Sequence, residues 1–98
     1  MMKKKSKLYV RIDSRNEGKS ATNQDFEDHM LFVNTLAKER YFVGGDFSSV
    51  DGGMILLEAK NIEEARAILQ ADPIIERGLY TFDLYEWNLI VMSETEDR

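Results

Sequence analysis

The chain contains a single histidine, His29, and a single proline, Pro73, which directly follows Asp72. Histidine is the one side chain whose ordinary pKa lies near neutrality. A carboxylate bonded to one ring nitrogen would fix the tautomer, make the ring more basic and leave the other nitrogen free to move a proton. His29 and Asp72 are therefore the candidate catalytic pair, an acid/base dyad. Each residue also has a plainer reading. A histidine on a helix can be a boundary residue with one local hydrogen bond. Aspartate before proline is a good helix N-cap followed by a favoured first-turn residue.

Other chemistries lack the residues they need. Cysteine is absent, which removes thiol nucleophiles, disulfides and thiolate zinc sites, and one histidine is too few for an imidazole zinc site. Gly44-Gly45 and Gly52-Gly53 lack the lysine and hydroxyl residue of a phosphate loop, and no GxGxxG occurs. Glu63-Glu64 and the acidic stretch 94–97 read as solvated charge. We expect no cofactor and no metal. Tyr9, Phe47, Tyr85 and Trp87 fit either a core or interface or the walls of an apolar pocket.

Ninety-eight residues suit one small domain, since two cores would each be too small to offset chain entropy. No run approaches the roughly 18 apolar residues needed to span a bilayer, so we expect no membrane partner. The net charge of −5, with basic residues clustered only near the start, argues against nucleic acid. The opening "MMKKKSKLYVRID" has the lysines of a secretory signal but no apolar stretch, and the lack of cysteine fits a reducing compartment, so a cytoplasmic location is expected. Residues 1–6 and 93–98 read as flexible tails.

The elements that must position the pair follow from periodicity. In residues 7–13, Leu8, Val10 and Ile12 alternate with Tyr9, Arg11 and Asp13, a strand with one face in the core. Residues 14–21 are a polar loop. Thr22 or Asn23 caps a helix to about Tyr41, with Phe26, Met30, Val33 and Ala37 as its core stripe and His29 and Leu36 on the flank. A short strand within 41–49 opens into a glycine turn, and 52–60 form a strand that reads as buried on both faces. Asn61 caps a second helix, "IEEARAILQA", whose inner face is Ile62, Ala65, Ile68 and Leu69. A single turn follows Asp72-Pro73 and stops at Gly78. The segment 79–91 then carries apolar residues on both parities, which calls for a bulge or for cover on both faces.

This order, β-α-β-β-α-β, predicts an α+β, ferredoxin-like fold with a four-stranded antiparallel sheet and both helices on one face. The other face would carry apolar residues, so we expect a homodimer that pairs the open sheet faces and could enclose a pocket for a small-molecule ligand.

These residues resemble the YCII-related (YciI-like) family of the dimeric α/β-barrel superfamily. The resemblance rests on His29, "FVGGDF" at 42–47, "NIEEARAILQADPIIERGLY" at 61–80 and "YEWN" at 85–88, and it covers most of residues 7–91. It implies a single YCII-like domain over 1–98, a dimeric α/β barrel, and a His-Asp pair at a pocket, here His29 and Asp72. Tyr9, Gly44, Gly45, Phe47 and Trp87 are the expected pocket residues. A related dehydrochlorinase of halogenated aromatics makes acid/base elimination on a cyclic or aromatic metabolite a feasible activity, without a cofactor. A ligand-binding or regulatory dimer of the same fold is the alternative. Where family members commonly have Gly-Pro after the second strand, this chain has Gly44-Gly45-Asp46, and the polar loop at 14–25 is available as a partial lid.

Overall fold

The computed structural model describes residues 7–94. Of the expected tails at 1–6 and 93–98, residues 1–6 and 95–98 lie outside the described residues, and 93–94 are exposed and belong to no helix or strand. Within the described residues the chain runs β1 (Lys7–Arg15), α1 (Asn23–Glu39), β2 (Phe42–Asp46), β3 (Gly53–Ala59), α2 (Ile62–Gln70), α3 (Pro73–Glu76) and β4 (Tyr80–Trp87). All sheet pairings are antiparallel and the strand order is β2-β3-β1-β4. This is the ferredoxin-like arrangement, with α3 added before the last strand.

Local chemistry accounts for the helix ends. Thr22 accepts a bond from the Asp25 amide while Asp25 accepts from the Thr22 amide, a complete capping box. Asn61 caps α2 through the Glu64 amide, but the Glu64 carboxylate returns to the amide of Lys60, one residue earlier than a capping box requires. Asp72 caps α3 through the Ile74 amide, with Pro73 in its first turn. Gly78, at φ 72°, ends that turn by donating to Ile75, while Leu79 donates to Ile74.

The sheet corrects three readings. In β1 the alternation is right, but the face under the helices is Tyr9, Arg11 and Asp13, all buried, and Val10 and Ile12 point to the open face. Pairing fixes this, because Tyr9 and Arg11 lie opposite Leu57 and Ile55, which sit in the helix-covered core. Strand β3 is buried on one face only: Gly53, Ile55, Leu57 and Ala59 are covered, whereas Met54 is exposed and Leu56 half-buried. Strand β4 needs no bulge. Its register with β1 is unbroken from Trp87–Leu8 to Tyr80–Arg15, so Tyr80, Phe82 and Leu84 face the helices while Tyr85 and Trp87 lie on the open face. The strand ends at Trp87, and Leu89 to Val91 are exposed beyond it.

Helix α1 is rotated relative to its expected stripe. Val33 and Leu36 are buried and Phe32 packs on the core, but Phe26, Met30 and Ala37 are exposed. The rotation brings His29 inward to Asp72 and leaves Phe26 and Met30 beside a cavity. Helix α2 matches its expected inner face, with Ala65 and Leu69 fully buried and Ile62 and Ile68 against them.

Candidate active site

Asp72 has no solvent exposure, and each of its oxygens is engaged. Oδ1 accepts from the Ile74 amide at 3.1 Å, and Oδ2 accepts from Arg11 Nη2 at 2.9 Å. The Nδ1 of His29 lies 2.9 Å from Oδ1 and 2.8 Å from Oδ2. Since Asp72 already accepts from a cation, Nδ1–H is the natural donor, and the tautomer so assigned leaves Nε2 available. His29 keeps 19% of its side chain exposed and borders the cavity, so its ring links a buried anchor to open space.

The cap and the imidazole contact coexist because Asp72 precedes α3 and follows α2. Its side chain turns back over the first turn of α3 while α1 passes alongside. The sequence placed the two residues on different helical segments; packing brings their side chains into contact.

Arg11 was not among the expected site residues. It is fully buried, yet it holds the site together. One nitrogen, Nη2, donates to both Asp72 Oδ2 and Asp13 Oδ2 at 2.9 Å, Nη1 donates to the Leu69 carbonyl at 3.1 Å, and Nε lies 2.7 Å from Asp13 Oδ1. Its guanidinium also sits 5.5 Å from the centre of the Phe82 ring. The signal was present in the sequence. Arginine and aspartate at i and i+2 share one face of a strand, and that face also carries Tyr9.

The two carboxylates respond to this setting in opposite directions. At Asp72 burial pushes the pKa up, but the hydrogen bond and charge of His29, then Arg11, outweigh it and hold the group below the usual carboxylate range. At Asp13 burial dominates. Arg11 pulls the other way without cancelling it, and the nearby Asp72 charge adds to the rise, so Asp13 sits above the usual range.

The cavity beside His29 has a volume of about 820 Å³. Phe26, Met30, Val33, Phe42, Ile55 and Ile74 give it an apolar wall, while Asp13, His29, Asp46, Asp51 and Tyr80 provide polar groups. Burial and the Asp51 charge push the Tyr80 hydroxyl up, so it stays a neutral donor. Of the expected pocket residues, Gly44, Gly45 and Phe47 line this cavity. Tyr9 and Trp87 do not: Tyr9 is sealed in the core because its parity faces α2, and Trp87 faces the opposite side of the sheet.

The polar loop at 14–25 is not a lid in this structure, since none of its residues lines the cavity. It is tied elsewhere, with Asn16 bonded to the Leu79 and Gly78 carbonyls. The loop after β2 borders the cavity instead, through Phe47, Val50, Asp51 and Gly52. Gly52, at φ 121°, lets this loop close against β1, where a Cβ would run into the Asp13 carbonyl. Among the described residues no cluster suited to a metal ion occurs and no helix is long and apolar enough to cross a membrane.

Comparison with known proteins agrees with this architecture. The uncharacterized protein YjpA of Bacillus subtilis (strain 168) is 32% identical over 82 residues, a match spanning 84% of this chain and 91% of that protein. A structure of 5-chloro-2-hydroxyhydroquinone dehydrochlorinase (TftG) from Burkholderia phenoliruptrix AC1100, in complex with 2,5-dihydroxybenzoquinone, shares the fold with a TM-score of 0.71. It is 18% identical, and the overlap covers 83% of this chain and 93% of that one. The model of the YCII-related domain matches residues 7–88, nearly all of the described chain, and the protein therefore belongs to the YCII-related family.

Proposed function

We propose that this protein is a small cofactor-independent enzyme that moves protons on a cyclic or aromatic metabolite, with Nε2 of His29 as the exchanging atom and Asp72 as the group that orients the ring. The observation that carries this reading is the 2.8 Å contact between His29 Nδ1 and a wholly buried carboxylate at the edge of an apolar cavity. In such a dyad the imidazole accepts a proton at Nε2, and Asp72 stabilises the resulting imidazolium without leaving its own partners. The dehydrochlorinase with this fold supports an elimination, in which the base takes a proton and chloride departs with the electron pair of its bond to carbon.

The exposed or half-buried residues Val10, Ile12, Val43, Met54, Leu56, Tyr85 and Trp87 form an apolar sheet face, which supports a homodimer through that face. The absence of cysteine supports a cytoplasmic protein.

A second reading has its own support. Asp72 also caps α3 and neutralises Arg11, so its place is explained without catalysis, and the cavity could hold a ligand that undergoes no reaction. Chloride release from 5-chloro-2-hydroxyhydroquinone, together with exchange of ring hydrogens for deuterium from solvent, separates the two. Catalysis predicts release or exchange by the native protein and its loss in His29→Ala and Asp72→Asn. Saturable binding with neither event would assign the site to ligand holding.

A further inference from the structure

The half of α1 that carries His29 is held by polar contacts rather than by burial. Of residues 23–30 none is buried, and the partly covered ones are Asp25, Asp28 and His29. The buried Val33 and Leu36 lie in the second half of the helix, and Phe26 and Met30 border the cavity. The three covered residues are the ones bonded to the α3 segment: His29 meets Asp72, its N-cap, while Asp25 and Asp28 meet Arg77, its C-cap. Asp25 and His29 are one helical turn apart and share a face, so both ends of α3 are fastened to one side of α1.

The Arg77 contact is a fork. Nη1 donates to Asp25 Oδ1 and Nη2 donates to Asp28 Oδ2, each at 2.8 Å. Both carboxylates are oriented by other bonds, since Asp25 Oδ2 accepts from the Thr22 amide of the capping box and Asp28 Oδ1 accepts from Gln24 Nε2. A planar guanidinium that bridges two oriented carboxylates loses less side-chain freedom than an isolated surface pair, and it fixes direction as well as distance. A single helical turn cannot hold its own orientation, so α3 relies on such contacts and on the buried Ile74.

We propose that Arg77 is a positioning residue for His29: by bridging Asp25 and Asp28 it holds the first turns of α1 on α3, at the separation where His29 Nδ1 reaches Asp72. Arg77 does not line the cavity, so it acts through the helix and not on a ligand. Without the clamp, the unburied half of α1 swings away from α3 part of the time and the imidazole loses its carboxylate. This deepens the acid/base reading, on which any effect on turnover rests, whereas the contact itself is tested without turnover.

The test reads the ring of His29, the one histidine of the chain, by nitrogen-15 NMR of the full chain well above neutral pH, where an imidazole is uncharged. The native protein should favour the tautomer with its hydrogen on Nδ1, held by Asp72, over the Nε2–H form that a free imidazole prefers in water. Arg77→Met, which keeps length and removes charge, should shift the ratio about threefold to tenfold toward Nε2–H, the range supplied by two exposed charge pairs. Arg77→Lys should recover part of that shift, because a point charge replaces the fork. If Arg77→Met fails to fold, Asp28→Asn at the other end of the clamp decides, with a shift in the same direction expected. A native ring already in the Nε2–H form, an unchanged ratio in Arg77→Met or Asp28→Asn, or equal ratios in Arg77→Lys and Arg77→Met would each overturn the proposal. A native protein that moves no proton on any probe would remove the acid/base reading, while a shifted ratio would still uphold the clamp.

Discussion

Replacing Asp72 by asparagine separates the charge of that residue from its shape. Asparagine caps a helix about as well as aspartate, so the bond to the Ile74 amide at 3.1 Å should survive. What disappears is the negative charge 2.9 Å from Arg11 and 2.8 Å from His29, in a place with no solvent to replace it. Breaking a buried ion pair by removing one partner costs roughly 3–5 kcal/mol. Asp13 still neutralises Arg11, so the low end applies, about 3 kcal/mol against essentially nothing for a residue that only caps.

Urea unfolding at neutral pH, with the slope monitored for two-state behaviour, measures this difference. Its pH dependence follows from the depressed folded pKa of Asp72. The stabilisation from its charge is present above the unfolded carboxylate value, near pH 3.8, and is lost as pH falls through the lower folded value. The gap between native protein and Asp72→Asn should therefore shrink in acid. A loss below about 1 kcal/mol at neutral pH, or one as large at about pH 2.5 as at about pH 7, would refute the view that Asp72 acts through its charge.

Three further outcomes follow from the same structure. Asp13 has a raised folded pKa, so its contribution is present below the unfolded value near pH 3.8 and is lost as pH rises through the folded one; the stability of Asp13→Asn relative to the native protein should improve between acid and neutral pH, seen by denaturation at several pH values. Gly52→Ala forces a side chain onto a positive φ and into the Asp13 carbonyl and should cost about 2–4 kcal/mol by thermal unfolding, whereas Gly45→Ala, whose Cβ would have open space, should be near neutral. Met54→Lys and Tyr85→Lys, on the open sheet face, should shift a homodimer to monomer in sedimentation equilibrium while circular dichroism stays unchanged.

Element order was legible because it depends on local signals: the cap residues Thr22, Asn61 and Asp72, the stop at Gly78, and period-2 stretches flanking them. Which face of each element turned inward was harder. In β1 both parities carry apolar residues, and the rule that charge faces solvent chose Val10 and Ile12 for the core. The structure puts Arg11 and Asp13 there because Arg11 pairs with both Asp13 and Asp72, an energy that depends on contacts 61 positions away. Helix α1 shows the same limit, since Phe26 and Met30 are apolar for the sake of a cavity that only the tertiary arrangement creates. His29 and Asp72 could be singled out by residue type, yet their contact required α1 to rotate toward α3.

The contrast between the two ends of the cavity bears on how this protein could diversify. At the inner end Asp72 serves three tasks at once, as helix cap, ion-pair partner and imidazole support, and Arg11 joins it to β1 and to the end of α2. A change there must be matched by several others to remain foldable, so this buried network changes only as a block. Around the rim, Asp46, Phe47 and Val50 are exposed and belong to no such network, and their replacement alters what enters without endangering the fold. Descendants of this sequence can explore new ligands one loop residue at a time while the buried end stays fixed.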